Sequence, residues 1–142
     1  MRCPEEIAGF IKANKVATVC YVKDGLPECF NCLYACMPDG EGIVFKSSLS
    51  SLHSTVLQPE VPVAGTIYRS TESGLDNSGI QFHGNIVTGG ELREMAQKAY
   101  YKRYPLGLVV PGDLFVVLFD NLKYTKTIKG IRKKQQWERA MN

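Results

Sequence analysis

Alternation of apolar and polar residues is the strongest pattern in this chain, and it predicts a protein built mainly from short β-strands. β-Branched and aromatic residues dominate the alternating segments, and pairs such as Asp24 and Gly25 mark tight turns between them. Seven strands are predicted, over residues 16–22, 27–37, 43–47, 61–68, 79–87, 114–119 and 122–127.

Three other segments change to helical spacing. Residues 4–15 place acids in the first turn and lysines in the last, around an apolar stripe of Ile7, Phe10 and Ile11. Residues 91–104 show the same order of charge and end before Pro105. Residues 47–57 begin with serines that can cap a helix, so a third short helix is expected there.

Short turns link most of the predicted strands, which favours antiparallel pairing over a parallel βαβ sheet. We therefore predict a mainly β (α+β) fold, a six- to seven-stranded antiparallel split β-barrel with about three short helices. A single domain over residues 1–142 is expected at this length. Neither of the glycine-rich phosphate-binding motifs of nucleotide-binding folds occurs in the sequence.

Composition narrows the class of protein further. Hydrophobic residues make up 44% and charged residues 22% of the chain, as in ordinary globular domains. No apolar run approaches the roughly 18 residues of a membrane-spanning helix, and the first residues lack the apolar core of a signal peptide. We expect a cytoplasmic protein without a membrane partner.

Five cysteines are present, and Cys29, Cys32 and Cys36 have a spacing that superficially suggests a metal site. On an extended strand, however, Cys32 and Cys36 share one face while Cys29 lies on the other, so the three thiols cannot converge on one ion. We expect reduced thiols and no bound metal.

A run of serines follows the predicted strand over residues 43–47. Where a strand leads into a helix, backbone N–H groups point outward, and the hydroxyls of Ser47, Ser48, Ser50 and Ser51 add donors. The residues leave two interpretations open, an anion site or a capped and solvated turn.

The last 21 residues are strongly basic. Residues 122–142 hold seven Lys or Arg residues against one acid, a net charge of +6, so the remaining chain carries −3 of the total of +3. Such a segment can contact nucleic acid, an anionic cofactor or a neighbouring subunit. Nucleic acid is disfavoured because Ile131 and Trp137 interrupt the charge, and apolar residues here favour a neighbouring subunit.

The chain as a whole resembles the small FMN-binding split-barrel proteins related to pyridoxamine-5′-phosphate oxidase, in particular an uncharacterised branch of them. The resemblance covers most of the chain, and its specificity comes from the order and spacing of its segments. The segments that carry it are residues 29–34, 44–53, 63–66, 79–84, 99–105 and 123–125 leading to Trp137.

This resemblance implies a homodimer with FMN in clefts at the dimer interface. By position, Ser47, Ser48 and Ser51 would bind the phosphate, with His53 standing where the oxidases have a phosphate-binding lysine. Asn31 would lie near the flavin ring with Cys32 beside it. Gln81 and Trp137 of the second protomer would contact the flavin.

The activity implied is that of an NAD(P)H-dependent oxidoreductase with an unknown small-molecule substrate. The alternative is a flavin- or haem-binding protein without turnover, used for storage or sensing. No nucleophile motif or persuasive pair of carboxylates is present, so no catalytic residue is assigned. A cofactor that carries the chemistry accounts for that absence.

His53 generates a pH prediction, because Ser51-Leu52-His53 replaces the Ser-Arg-Lys of the oxidases. With two permanent charges lost, FMN should bind with low-micromolar affinity or weaker unless a second protomer completes the site. It should bind more weakly at about pH 8 than at about pH 6, because the imidazolium is lost as pH rises. Fluorescence-quenching titrations measure this. In His53→Gln only the FMN phosphate still changes its ionisation with pH, so comparison with the parent protein isolates the effect of the histidine. An equal pH dependence of FMN affinity in the two proteins would contradict phosphate binding by His53.

Overall fold

A computed structural model describes residues 3–48, 61–87 and 90–139. Within them the helices are α1 (Glu5–Ala13), α2 (Leu92–Arg103) and a 3₁₀ helix at Pro105–Val109. The predicted helix over residues 47–57 falls largely outside the described residues. The strands are β1 (Val16–Lys23), β2 (Leu26–Cys36), β3 (Gly42–Ser47), β4 (Pro62–Ser70), β5 (Asn77–Val87), β6 (Asp113–Ile128) and β7 (Ile131–Glu138).

The seven strands form one antiparallel sheet in the order β3-β2-β1-β4-β5-β6-β7. The first half of β6 also pairs with β3, from Gly42 opposite Leu118 to Ser47 opposite Asp113. This pairing closes six strands into a barrel and leaves β7 as an extension on the second half of β6. The mainly β, antiparallel barrel predicted from the sequence is confirmed.

The interior of the barrel is packed with aromatic and branched side chains. Helix α1 packs against the barrel through the fully buried Ile7 and Ile11, and its Phe10 ring lies 5.2 Å from that of Tyr124. The buried hydroxyl of Tyr34 donates a hydrogen bond of 2.7 Å to the carbonyl of Ile11, which satisfies one of the free carbonyls at the helix end.

Helix α2 packs on the outside of the barrel, over a second apolar cluster that includes Ala35, Val44 and Val116. Lys46 fastens it there, because its Nζ donates to the hydroxyl of Tyr101 at 2.9 Å and to the carbonyl of Gly107 at 2.8 Å. No helix in the described parts of the chain is long and apolar enough to cross a membrane.

Strand β6 corrects two sequence predictions. Residues 114–119 and 122–127 were expected to form two strands, but they form one, because a bulge next to Asp120 lets β6 continue along β5. The bulge shifts the alternation of buried and exposed positions, so the next buried residue after Phe119 is Leu122 and not residue 121. Strand alternation also predicts that Val19, Phe45, Val63, Ile67, Val116 and Leu118 point into the barrel. Val116 instead packs beneath α2, and Leu118 is only half-buried.

Strand β7 was not predicted at all. It follows a tight turn in which Lys129 and Gly130 have φ values of 50° and 80°, as in the hairpins that suit twisted strands. Trp137 on β7 is 6% exposed and packs in the core of its own chain. Its burial therefore carries no argument for a neighbouring subunit.

Arg139 secures the end of β7. Its guanidinium donates to the Glu41 carboxylate at 2.8 Å and to the carbonyl of Phe119 at 2.9 Å, next to the β6 bulge. The Glu41 side chain is only 11% exposed, so this ion pair is shielded from solvent. One of the seven basic residues of the tail is thus used to hold the fold.

Gly65 on β4 provides a test of the packing. A methyl group there would strike the carbonyl of Thr18 and the ring of Phe82. Gly65→Ala should lower the free energy of unfolding by about 1–3 kcal/mol. Gly9→Ala is the matched control, because nothing lies within 4 Å of its added methyl in helix α1. It should raise stability by about 0.5–1 kcal/mol. Urea unfolding measures the change in both variants. Equal changes in the free energy of unfolding would contradict the close packing around Gly65.

Arg139→Ala should cost about 1.5–3 kcal/mol in urea unfolding, because it leaves the shielded Glu41 carboxylate without its partner. Lys98→Ala is the control, since the Lys98–Glu94 pair has both side chains about four-fifths exposed, at 78% and 81%. That change should cost about 0.5 kcal/mol or less. A comparable loss in both variants would contradict a structural role for the Arg139 ion pair.

Candidate functional site

The outer face of the barrel carries a row of polar side chains that crosses six strands. Directly opposed residues of neighbouring strands point to the same face of a sheet. The row runs through Asn31, Thr18, Thr66, Gln81, Lys123 and Gln136. Thr18 Oγ1 donates to Asn31 Oδ1 at 2.7 Å, which fixes the amide at one end. Asn31 and Gln81, predicted separately from the sequence, therefore belong to one surface.

A shallow groove of about 200 Å³ lies along this row where it crosses β4, β5 and β6. Tyr68, with 63% of its surface exposed, stands at one side. Gly79 is opposite Tyr68 on β5, and a methyl group at Gly79 would lie 3.0 Å from the Tyr68 ring. The Tyr68 ring therefore lies against Gly79 at the side of the groove. The residues that line the groove are Thr66, Ile67, Tyr68, Asn77, Gly79, Ile80, Gln81 and Thr125.

Basic side chains border the groove on the side of β6 and β7. Lys123 is opposite Gln81, Lys134 is opposite the groove residue Thr125, and Arg132 is opposite Thr127. All three basic side chains are exposed. Three of the seven basic residues of the tail therefore lie beside an aromatic and amide-lined surface, which suits a planar ligand that carries an anion.

Cys32 lies on the opposite side of β2 from Asn31. It packs against the barrel core, and burial raises the pKa of its thiol to about 12. Cys36 also packs against the core whereas Cys29 is exposed, which is the separation of faces that alternation predicts. A ligand on the outer row would contact Asn31 without reaching the Cys32 thiol.

Trp137, predicted from the resemblance to contact the flavin, lies in the core of its own chain. Its ring lies in the core opposite Leu122, and the guanidinium of Arg139 lies 5.6 Å from the ring centre. Its buried Nε1 has no hydrogen-bond partner among the described residues. The predicted contact with flavin stays a prediction, and the ring does not belong to the outer row.

The described part of the serine segment is held tightly. Ser47 is buried at the end of β3, opposite Asp113. Gly112 crosses so closely that a methyl group on it would lie 2.7 Å from the carbonyl of Ser47, and its φ of 142° favours glycine. Ser48 is half-buried beside it. Ser51 and His53 lie outside the described residues.

Sequence reasoning missed Thr66, Tyr68 and Lys134 as members of this surface. Each occupies an outward position on a strand, but strand alternation alone does not say which strands become neighbours. The pairing of the exposed Tyr68 with Gly79 on the next strand would have indicated that the ring lies over that glycine, because large rings often cover strand glycines.

Comparison with known sequences gives relatives of similar length. The UPF0306 protein of Citrobacter koseri is 28% identical over 137 residues, which cover 94% of this chain and 92% of that protein. The UPF0306 protein YhbP of Salmonella arizonae is 28% identical over 136 residues, with 94% and 91% covered. No family model matches the chain.

Comparison with solved structures supports the fold. A haem-binding protein from Mycobacterium smegmatis superposes with a TM-score of 0.71 at 15% identity; the match covers 97% of this chain and 59% of the longer protein. An FAD-binding protein from Mesorhizobium loti gives 0.67 at 14% identity, with 89% and 97% covered. A pyridoxinephosphate oxidase family protein from Clostridium acetobutylicum gives 0.64 at 12% identity, with 96% of each chain covered.

Proposed function

We propose that this protein binds a flavin, FMN in particular, on the outer face of the barrel and acts as an NAD(P)H-dependent oxidoreductase on a small molecule. We further propose that it is a homodimer in which a second copy completes the cofactor cleft. The observation that carries the proposal is the register that puts Asn31 and Gln81 in one exposed row beside the Tyr68 groove.

The residues of this surface fit the chemical groups of a flavin. The polar edge of the flavin ring alternates carbonyl acceptors with an N–H donor, and primary amides such as Asn31 and Gln81 can match both. The Tyr68 ring offers an aromatic contact, and the ammonium groups of Lys123 and Lys134 suit a phosphate. Likeness in fold to proteins described as FAD-binding and as belonging to the pyridoxinephosphate oxidase family supports this choice of ligand.

Apolar residues on the same face support a dimer. Val16 and Leu33 are directly opposed on β1 and β2, two residues along each strand from Thr18 and Asn31, and they are 50% and 53% exposed. Tyr68 adds a third large exposed group. A second copy laid over this face would bury these side chains and enclose the shallow groove.

A bound flavin supplies hydride transfer through its N5 atom. The part of the protein would be to orient the ring with the amides of Asn31 and Gln81 and to hold the phosphate with lysines. No acidic side chain lies in the Asn31–Gln136 row. The substrate would therefore rely on the cofactor or on solvent for its proton.

One observation favours haem as a second candidate ligand, in a protein without turnover. His83 lies on the outer face two residues from Gln81 on β5, and its Nδ1 is 3.2 Å from Asn121 Oδ1. Histidines that bind iron through one ring nitrogen commonly hold the other in such a bond. Likeness to a haem-binding protein of M. smegmatis is consistent with this reading.

FMN titration by fluorescence quenching tests the proposal. Gln81→Leu should weaken FMN binding by about tenfold, since it leaves ring groups unpaired on a partly buried surface. Lys123→Ala should weaken it by a few-fold, and the difference should shrink in high salt because the contact is ionic. Lys98→Ala is the control, because Lys98 lies on helix α2 away from the groove.

Equal FMN affinity in the Gln81 and Lys98 variants would reject the outer row as the flavin site. The absorbance spectrum of the purified protein, incubated with FMN or with haemin, separates the two candidates. A Soret band lost in His83→Ala, together with no quenching of FMN fluorescence, would favour haem over the proposed flavin. Sedimentation of the same samples tests the dimer.

A further inference from the structure

Cys20 and Cys29 lie directly opposite each other on β1 and β2. Both side chains point to the outer face, where Cys29 is exposed and Cys20 is half-buried. The two side chains interact with each other, and neither cysteine is joined in a disulfide in this structure. Two thiols that face one another on a surface form a dithiol, which can be oxidised to an intramolecular disulfide.

The pairing type of these two residues follows from the register. The N–H of Tyr34 donates to the carbonyl of Lys15 at 2.9 Å, and these residues are opposed in the register that pairs Val16 with Leu33. Hydrogen-bonded and non-hydrogen-bonded pairs alternate along antiparallel strands. Counting from Lys15 and Tyr34, Cys20 and Cys29 form a non-hydrogen-bonded pair.

Such a pair has the geometry that a disulfide needs. Opposed residues at a non-hydrogen-bonded position have Cα atoms about 4.5 Å apart, with side chains closer than at the alternate positions. Disulfides span Cα separations of about 4.4–6.8 Å. The two thiols can therefore join with no backbone hydrogen bond of the β1–β2 ladder lying between them.

We infer that Cys20 and Cys29 form a surface dithiol site that reacts with small-molecule disulfides and closes to an intramolecular disulfide. The other three cysteines are unsuited to this reaction. Cys3 is buried and the Cys32 and Cys36 thiols pack against the core, where burial raises the pKa values of the last two to about 12. The site is independent of any flavin.

The reaction has two balanced steps. The exposed Cys29 thiol loses its proton, and its sulfur attacks one sulfur of the disulfide, which forms a mixed disulfide and expels one thiolate. Cys20 then loses its proton and attacks the Cys29 sulfur, which expels the second thiolate. The two cysteines lose two electrons and two protons in total, and the small-molecule disulfide is reduced to two thiols.

Cys29 is assigned the first attack because of its exposure. Burial and the neighbouring Cys29 both raise the pKa of Cys20 above its ordinary value, so formation of a Cys20 thiolate is disfavoured while the pair is reduced. Once Cys29 carries the mixed disulfide, Cys20 faces the sulfur it must attack. Opposed register thus gives Cys20 the role of resolving thiol.

Oxidised glutathione at about pH 8 tests the inference on the intact, native protein. Two of the five thiols should be lost, and the mass of the protein should fall by two hydrogen atoms. Trypsin cleaves after Lys15, Lys23 and Lys46, so the disulfide should join peptide 16–23 to peptide 24–46. Fragmentation of the joined peptides should place the bond at Cys29.

Two variants separate the roles of the thiols. Cys20→Ser should stop at a stable glutathione adduct on Cys29, and Cys29→Ser should lose thiols at least several-fold more slowly. Cys32→Ala is the matched control on β2 and should oxidise as the parent protein does. Five retained thiols, a bond to Cys32 or Cys36, or a disulfide between two copies on a non-reducing gel would each overturn the inference.

Discussion

Strand β6 is hydrogen-bonded to three other strands, and this sharing holds the whole structure together. It pairs with β5 from Val116 to Thr127, with β3 before the bulge at Asp120, and with β7 after the bulge. Without the β3 contact the sheet would be open, with exposed edges at β3 and β7. The bulge lets one strand serve both as a wall of the barrel and as the base of the β6–β7 hairpin.

This arrangement also decides which outer surface is left uncovered. Helix α2 covers β3, the end of β2 at Ala35 and the first half of β6, where Val44 and Val116 lie beneath it. The remaining outer face, across the earlier part of β2, β1, β4, β5 and the second half of β6, has no helix on it within the described ranges. The polar row and the Tyr68 groove lie on that half, beside the basic side chains that β7 contributes.

Local sequence patterns predicted most strands and the α1 and α2 helices, because alternation and helical spacing depend only on neighbours in the chain. They failed at β6 because the bulge reverses the alternation, so one strand looks like two. They failed at β7 because Lys133 and Gln135, which share a face with Trp137, are polar. Asn31 and Gln81 were identified by resemblance, but their shared row depends on a strand order that no local pattern contains.

Side chains of the described residues pack the barrel interior, so the outer row is the surface on which we propose that a ligand binds. Phenylalanine rings fill the barrel, with centroid separations of 5.6 Å between Phe45 and Phe115 and 5.0 Å between Phe82 and Phe119. Six strands enclose a space that side chains can fill, unlike the wider barrels that hold a ligand. The ligand that we propose therefore lies on the outer surface, where outward side chains can change without disturbing the core.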